Sequence, residues 1–275
     1  MSRKTRLKTL LSALPFALGL ALAPGTATAN PYADNLTARV LPGWRGADGR
    51  HVAGLELRLA KGWKTYWRSP GESGVPPLFS WAGSGNLANL QVIWPRPEVF
   101  DQNGLRSIGY ADRIVLPLII TPATAGAPVE LNGAISLGIC DEVCVPLDLH
   151  LTGTLPASGG QRDPAIAAAL AARPYSPREA KVRAVDCTIA PARNGMALSV
   201  NIAMPSTGGN EVIVVETSDP QIWASDSRSH RSGGQISAQT ELFHSSGGAF
   251  ALDRSALTIT VLGGQYAVEI SGCGN

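Results

Sequence analysis

After residue 29 the chain contains no run of 18 apolar residues, so nothing there reaches the roughly 20 that a helix needs to span a bilayer. An excess of charge of either sign is missing too. Residues 1–29 hold four of the 23 basic residues and none of the 21 acidic ones, which leaves 19 against 21 in the rest. The pI of 8.4 therefore belongs to the N-terminal segment, and the balance gives no reason to expect nucleic acid or anionic lipid as a partner. Lysine is reduced to Lys61, Lys64 and Lys181 beyond that segment. Soft metal ligands are scarce, since only Met196 and Met204 remain and the four histidines are scattered. Gly208-Gly209 and Gly247-Gly248 read as turns without a phosphate-loop pattern, and Asp226, Ser227, Ser229 and His230 read as a solvated polar segment rather than a catalytic triad.

What is present begins with an export signal. Arg3, Lys4, Arg6 and Lys8 precede an apolar run from Leu10 to Ala23, and Ala27-Thr28-Ala29 offers a small-residue cleavage site before Asn30. That run, about fourteen residues with Pro15 inside, is too short for a membrane anchor. Residues 1–29 are expected to be removed. The remainder is expected to be soluble in an oxidising compartment, where four cysteines form two disulfides.

Beyond the signal, alternation of period two dominates. In Leu55-Glu56-Leu57-Arg58-Leu59 the leucines fall on one face and the charges on the other, as in a half-buried strand. The same pattern runs through Val129 to Ile139, Val145 to Leu151, Met196 to Met204 and Leu257 to Val261, while Val212-Ile213-Val214-Val215 reads as a more fully buried strand. Short strands separated by Gly, Pro and Asn predict an all-β protein of antiparallel sandwiches. One stretch differs. After Ser158-Gly159-Gly160, Asp163-Pro164 provide an N-cap and a first helical residue for an Ala-rich segment closed by Pro174 and Pro177. Residues 157–178 are thus expected to be a linker with a short helix, between a first sandwich at 30–156 and a second at 179–275. Five of the six tryptophans (Trp44, Trp63, Trp67, Trp81 and Trp94) lie in the first. Such aromatics ordinarily fill a sandwich core, though a few can shield a reactive sulfur.

The cysteines divide by position. Cys187 and Cys273 open and close the second sandwich, and a bridge between them closes a loop worth about 4.6 kcal/mol in the chain-entropy picture. They are expected to form a structural disulfide. Cys140 and Cys144 are separated only by Asp141, Glu142 and Val143. Five residues in a straight strand would hold the end Cα atoms roughly 13 Å apart, whereas a disulfide needs about 4.4–6.8 Å, so the segment must turn. Such a short bridge contributes only about 2 kcal/mol by loop closure, and a tight turn makes it easier to reduce. The alternation on either side predicts a hairpin, and Pro146 predicts an edge strand. Asp141 and Glu142 disfavour a thiolate beside them.

Several motifs around this pair resemble the N-terminal periplasmic domain of the thiol:disulfide interchange protein DsbD and the related copper-tolerance protein ScsB. They are Gly62-Trp63-Lys64-Thr65-Tyr66-Trp67, Trp94-Pro95, Tyr110-Ala111-Asp112-Arg113-Ile114-Val115-Leu116-Pro117-Leu118 and the cysteine hairpin, within about residues 35–155. The resemblance implies an immunoglobulin-like domain in the periplasm. Such a domain takes electrons from a membrane-embedded thiol reductase and passes them to thioredoxin-like proteins by dithiol–disulfide exchange. It assigns Cys140 and Cys144 as the redox cysteines, with Cys144 the less hindered, and Tyr66 as an active-site tyrosine. It also matches Phe100 to Leu105 to a loop that caps the disulfide, with Leu105 as the capping residue. The chain departs from the pattern in its three-residue cysteine spacing and in a cap segment without an aromatic-rich acidic stretch. No transmembrane or thioredoxin domain follows, so reducing power is expected to come from a separate partner.

Two other readings compete. The same cysteines are soft ligands suited to Cu(I), which would make the chain a copper-binding or copper-tolerance module. Alternatively both disulfides are structural and the protein is a non-catalytic binding module. No cofactor is otherwise implied.

Overall fold

Alternating residues form antiparallel ladders in which one face is apolar, and pairs of such ladders bury those faces against each other. The computed structural model describes residues 31–102 and 104–274; the expected export signal lies outside them. The first ten strands are β1 (Leu36–Arg45), β2 (His51–Leu59), β3 (Lys64–Tyr66), β4 (Leu78–Ser80), β5 (Leu87–Val92), β6 (Glu98–Gln102), β7 (Leu105–Ala111), β8 (Arg113–Pro122), β9 (Val129–Cys140) and β10 (Cys144–Leu155). They form one sheet ordered β1-β2-β8-β5 and a second ordered β10-β9-β3-β7-β6, with β4 paired to β9. Leu55, Leu116, Leu118, Ile135, Ile139 and Trp67 fill the space between. β10 is the edge strand that Pro146 requires.

The helix α1 (Pro164–Ala171) starts where Asp163 accepts backbone N–H bonds from Ala165 and Ile166 and where Pro164 occupies the first turn. Its Ile166 and Ala169 are buried with Leu41 and Val115. This close seating depends on Gly54 of β2, where a Cβ would come within 2.9 Å of the Ile166 side chain. The helix therefore covers part of the outer face of the first sandwich as well as linking it to the second.

The second sandwich contains β11 (Ala184–Ala192), β12 (Gly195–Ala203), β13 (Val212–Glu216), β14 (Ile222–Ala224), β15 (Arg228–Ser232), β16 (Gln235–His244), β17 (Thr258–Leu262) and β18 (Ala267–Ser271). One sheet is ordered β11-β12-β16-β14, with β15 also paired to β16, and the other β13-β17-β18. Met204 is buried in the core of this sandwich, and the partly buried Met196 packs against it. β13 explains its own hydrophobic run. Ile213 and Val215 face the second core, while Val212 and Val214 pack against the first core, which also takes in Leu262 and Ala267 from the same sheet. Both faces of β13–β17–β18 are thus covered, one by each sandwich. The seam carries polar bonds as well: Arg68 pairs with Glu216 at 2.8 Å and Glu269 at 2.5 Å, and Arg96 Nη1 donates to the carbonyl of Gly263 at 2.8 Å.

One strand differs from the simple alternation. Glu56 lies on the face opposite Leu55 and Leu57, yet its side chain is fully buried, because Arg39, Arg58 and Arg113 close over it. The guanidinium of Arg39, with help from the other two, holds the carboxyl at a pKa of about 2.

Candidate functional site

A three-residue connection between two long paired strands brings the cysteines together. Antiparallel pairing of β9 with β10 runs from Val129↔Leu155 to Cys140↔Cys144, so the two cysteines are the last cross-strand pair before the turn. They are joined as a disulfide, with Cα atoms 4.1 Å apart. The two sulfurs differ in access. Cys140 stands on the inner strand and is 6% exposed, whereas Cys144 opens the edge strand and is exposed. Asp141, Glu142 and Val143 form the exposed turn.

The wall beside the pair is β3. Its short pairing with β9 places Lys64 opposite Cys140 and Thr65 opposite Ile139, and Thr65 Oγ1 donates to the carbonyl of Gly138 at 2.9 Å. Two residues along from Lys64, and so on the same face of the strand, Tyr66 brings its Oη to 3.4 Å from Cys144 Sγ. Tyr66 is 3% exposed, and burial raises its pKa. The phenol is therefore a neutral O–H at ordinary pH, able to donate to a Cys144 thiolate. The chain enters β3 through Gly62 at φ 89°, where a Cβ would approach the Asp141 carboxylate to 3.3 Å. Glycine at this turn leaves room for the acidic turn between the cysteines.

Lys64 is a site residue to which the sequence reading assigned no role. It is 5% exposed, and its Nζ donates to Gln102 Oε1 at 2.5 Å and to Ser107 Oγ at 3.2 Å while lying 5.0 Å from the Phe100 ring centroid. Burial lowers its pKa, and the negative charge of Asp141 works against that. The signal was a lysine within an aromatic segment of a chain that has very few. Through this ammonium the β6–β7 hairpin is fastened to the strand next to the disulfide. The segment expected to be a loop is thus mostly ladder, with Phe100↔Ser107 and Gln102↔Leu105 in register. Leu105 lies at the outer end, 63% exposed; the hairpin side chains that meet Lys64 are Phe100, Gln102 and Ser107.

The remaining motif residues lie around this wall. Tyr110 is buried and donates from Oη to the carbonyl of Pro95 at 2.8 Å, tying two of the sequence motifs together. Cys187 and Cys273 are bonded to each other and buried in the second core at 5% and 9% exposure. Among the described residues, no group of three or more His, Cys, Asp or Glu side chains is placed to hold a metal ion, and no helix is long and apolar enough to cross a membrane.

An immunoglobulin-like sandwich with a solvent-facing disulfide hairpin defines a class of thiol–disulfide exchange domains. The family described as thiol:disulfide interchange protein DsbD, N-terminal, matches residues 37–156, and the first sandwich of this chain belongs to that family. The crystal structure of the N-terminal periplasmic domain of ScsB from Proteus mirabilis is similar over both sandwiches. It has 25% identity and a TM-score of 0.64, covering 90% of this chain and 97% of that one. The N-terminal domain of DsbD from Neisseria meningitidis, in its reduced form, aligns at 16% identity and a TM-score of 0.30 over 48% of this chain and 95% of that one. No curated protein sequence matches the chain.

Proposed function

We propose that the protein is a periplasmic thiol–disulfide exchange protein that relays electrons from a membrane-embedded thiol reductase to thioredoxin-like proteins through Cys140 and Cys144. The unequal exposure of the two sulfurs carries this reading: Cys144 is open on an edge strand beside the Tyr66 hydroxyl, while Cys140 is buried behind it. Family membership and the periplasmic domain of ScsB support the compartment and the class of partner.

In the proposed cycle a thiolate of the reduced donor attacks Cys144 Sγ. The donor–Cys144 disulfide forms as the Cys140–Cys144 bond breaks, and Cys140 leaves as a thiolate and takes up a proton. The donor's second thiol, on losing its proton, then attacks the donor sulfur of the mixed disulfide. The donor becomes oxidised and Cys144 is released as a thiolate. Two electrons and one proton have moved to the chain, which now carries the Cys140 thiol and the Cys144 thiolate. In the second half the Cys144 thiolate attacks the disulfide of a thioredoxin-like acceptor, and Cys140 resolves the mixed disulfide, returning the chain to its oxidised form. Tyr66 stabilises the Cys144 thiolate in both halves by donating its O–H.

Trapping tests the assignment. A Cys140→Ser variant should accumulate Cys144-linked mixed disulfides with periplasmic thioredoxin-like proteins, because the resolving sulfur is gone. A Cys144→Ser variant should trap little, since Cys140 is buried. Equal trapping by both, or by neither, defeats the proposal.

A further inference from the structure

Where the two sandwiches meet, the seam forms an open cavity of about 500 Å³, within the usual range of ligand pockets, which are commonly found at domain interfaces. Its apolar floor is built from both sides, by Pro70 and Ile108 of the first sandwich and Val214 and Ile222 of the second. At the rim Trp223 and Phe243, cross-strand partners on β14 and β16, remain 48% and 40% exposed. Exposed aromatics of this size at the edge of a cavity are characteristic of a contact site.

The charged lining is unbalanced. Two arginines, Arg68 and Arg106, face four carboxylates, Glu72, Glu216, Asp219 and Asp226. Arg68 is already engaged by Glu216 and by Glu269, and Arg106 Nη1 donates to the carbonyl of Ser227 at 3.2 Å. Glu72 and Asp226 are drawn together because Glu72 Oε1 accepts the backbone N–H of Asp226 at 3.0 Å. Burial and the charge of Glu72 raise the pKa of Asp226, and Arg106 only partly opposes them. Two neighbouring carboxylates, an aromatic face and an apolar floor are complementary to one kind of group, a cation carried on an apolar body.

We propose that this cavity binds a basic side chain of a peptide segment from a protein partner, its cationic head between Glu72, Asp226 and Trp223 and an adjacent apolar residue on the floor. Glu72, Trp223 and Phe243 are exposed at the mouth, which leaves the peptide's main chain outside. The site is independent of the disulfide chemistry.

Calorimetric titration of the full chain with N-acetyl-leucyl-arginine amide tests it, with the uncharged citrulline analogue and the small amine tyramine as comparators. Saturable binding of the arginine peptide is expected, at least tenfold tighter than either comparator and weakened about tenfold by Glu72→Gln together with Asp226→Asn. Trp223→Ala should weaken it severalfold. A Cys140→Ser/Cys144→Ser variant should bind like the wild type. The proposal is overturned by absence of saturable binding, by equal affinity for the citrulline analogue, or by carboxylate variants that fold with unchanged melting temperature and bind unchanged. Tyramine binding as tightly as the peptide would overturn the peptide assignment.

Discussion

The Tyr66 hydroxyl stands 3.4 Å from Sγ of Cys144, the exposed member of the disulfide. A buried phenol held protonated beside an exposed sulfur is a ready donor to the thiolate that reduction would create. Hydrogen bonds to charged groups contribute about 1.5–3 kcal/mol, which corresponds to one or two pKa units. Tyr66→Phe should therefore raise the Cys144 thiol pKa by about one unit, as measured by the pH dependence of alkylation in the reduced protein. An unchanged profile would leave the tyrosine only a packing role.

Lys64 makes a different kind of contribution, since its ammonium ties Phe100, Gln102 and Ser107 to β3. Lys64→Met keeps the stem and removes the donor. Amide exchange in β6 and β7 should then quicken by about tenfold or more, equivalent to losing roughly 1.4 kcal/mol of local stability, while β1, β2 and β8 keep their protection. Uniform acceleration across the protein would mean that Lys64 stabilises the whole fold instead of fastening the hairpin.

The two disulfides should separate under mild reduction. Cys144 is exposed, but Cys187 and Cys273 are buried in the second core, so a graded thiol titration followed by alkylation and mass spectrometry should label Cys140 and Cys144 first. Replacing Cys187 and Cys273 by alanine should cost about 3–5 kcal/mol of stability, against about 2 kcal/mol or less for the short pair.

Acid should expose the role of Glu56. Its carboxyl titrates at about 2 in the folded chain, against an ordinary value of 4.5. Its contribution is therefore fully present above about pH 4.5 and is lost as pH falls toward 2. Glu56→Gln should lower the melting temperature at neutral pH by roughly 5 °C and flatten the acid limb between pH 4.5 and 2. A variant whose acid limb matches the wild type would assign that loss to other carboxylates.

Much of this organisation is legible in the sequence because its causes are local. Period-two alternation in residues 129–139 and 145–151 specifies two strands that must meet at a tight turn, and Pro146 restricts the second to an edge. Asp163-Pro164 marks the helix start because capping and a preset φ act within one turn. The aromatic motifs and the cysteine hairpin point to the family, although the three-residue spacing departs from its pattern, and that resemblance is what assigns the candidate site residues.

Other features depend on residues distant in the chain. Glu56 reads as an outward charge, and only the convergence of Arg39 and Arg113 from neighbouring strands encloses it. Lys64 meets Gln102 because β3 and β6 flank β7 in one sheet, and Glu72 meets Asp226 because the two sandwiches pack together; no local period records either. The sequence alone determined the β-rich class, the turn that joins Cys140 to Cys144 and the acidic character of that turn, since backbone reach and residue chemistry suffice for them. Tertiary structure decided which sulfur faces solvent, which hydroxyl touches it and what lies in the seam between the sandwiches, because burial and cross-strand register exist only once distant segments have packed.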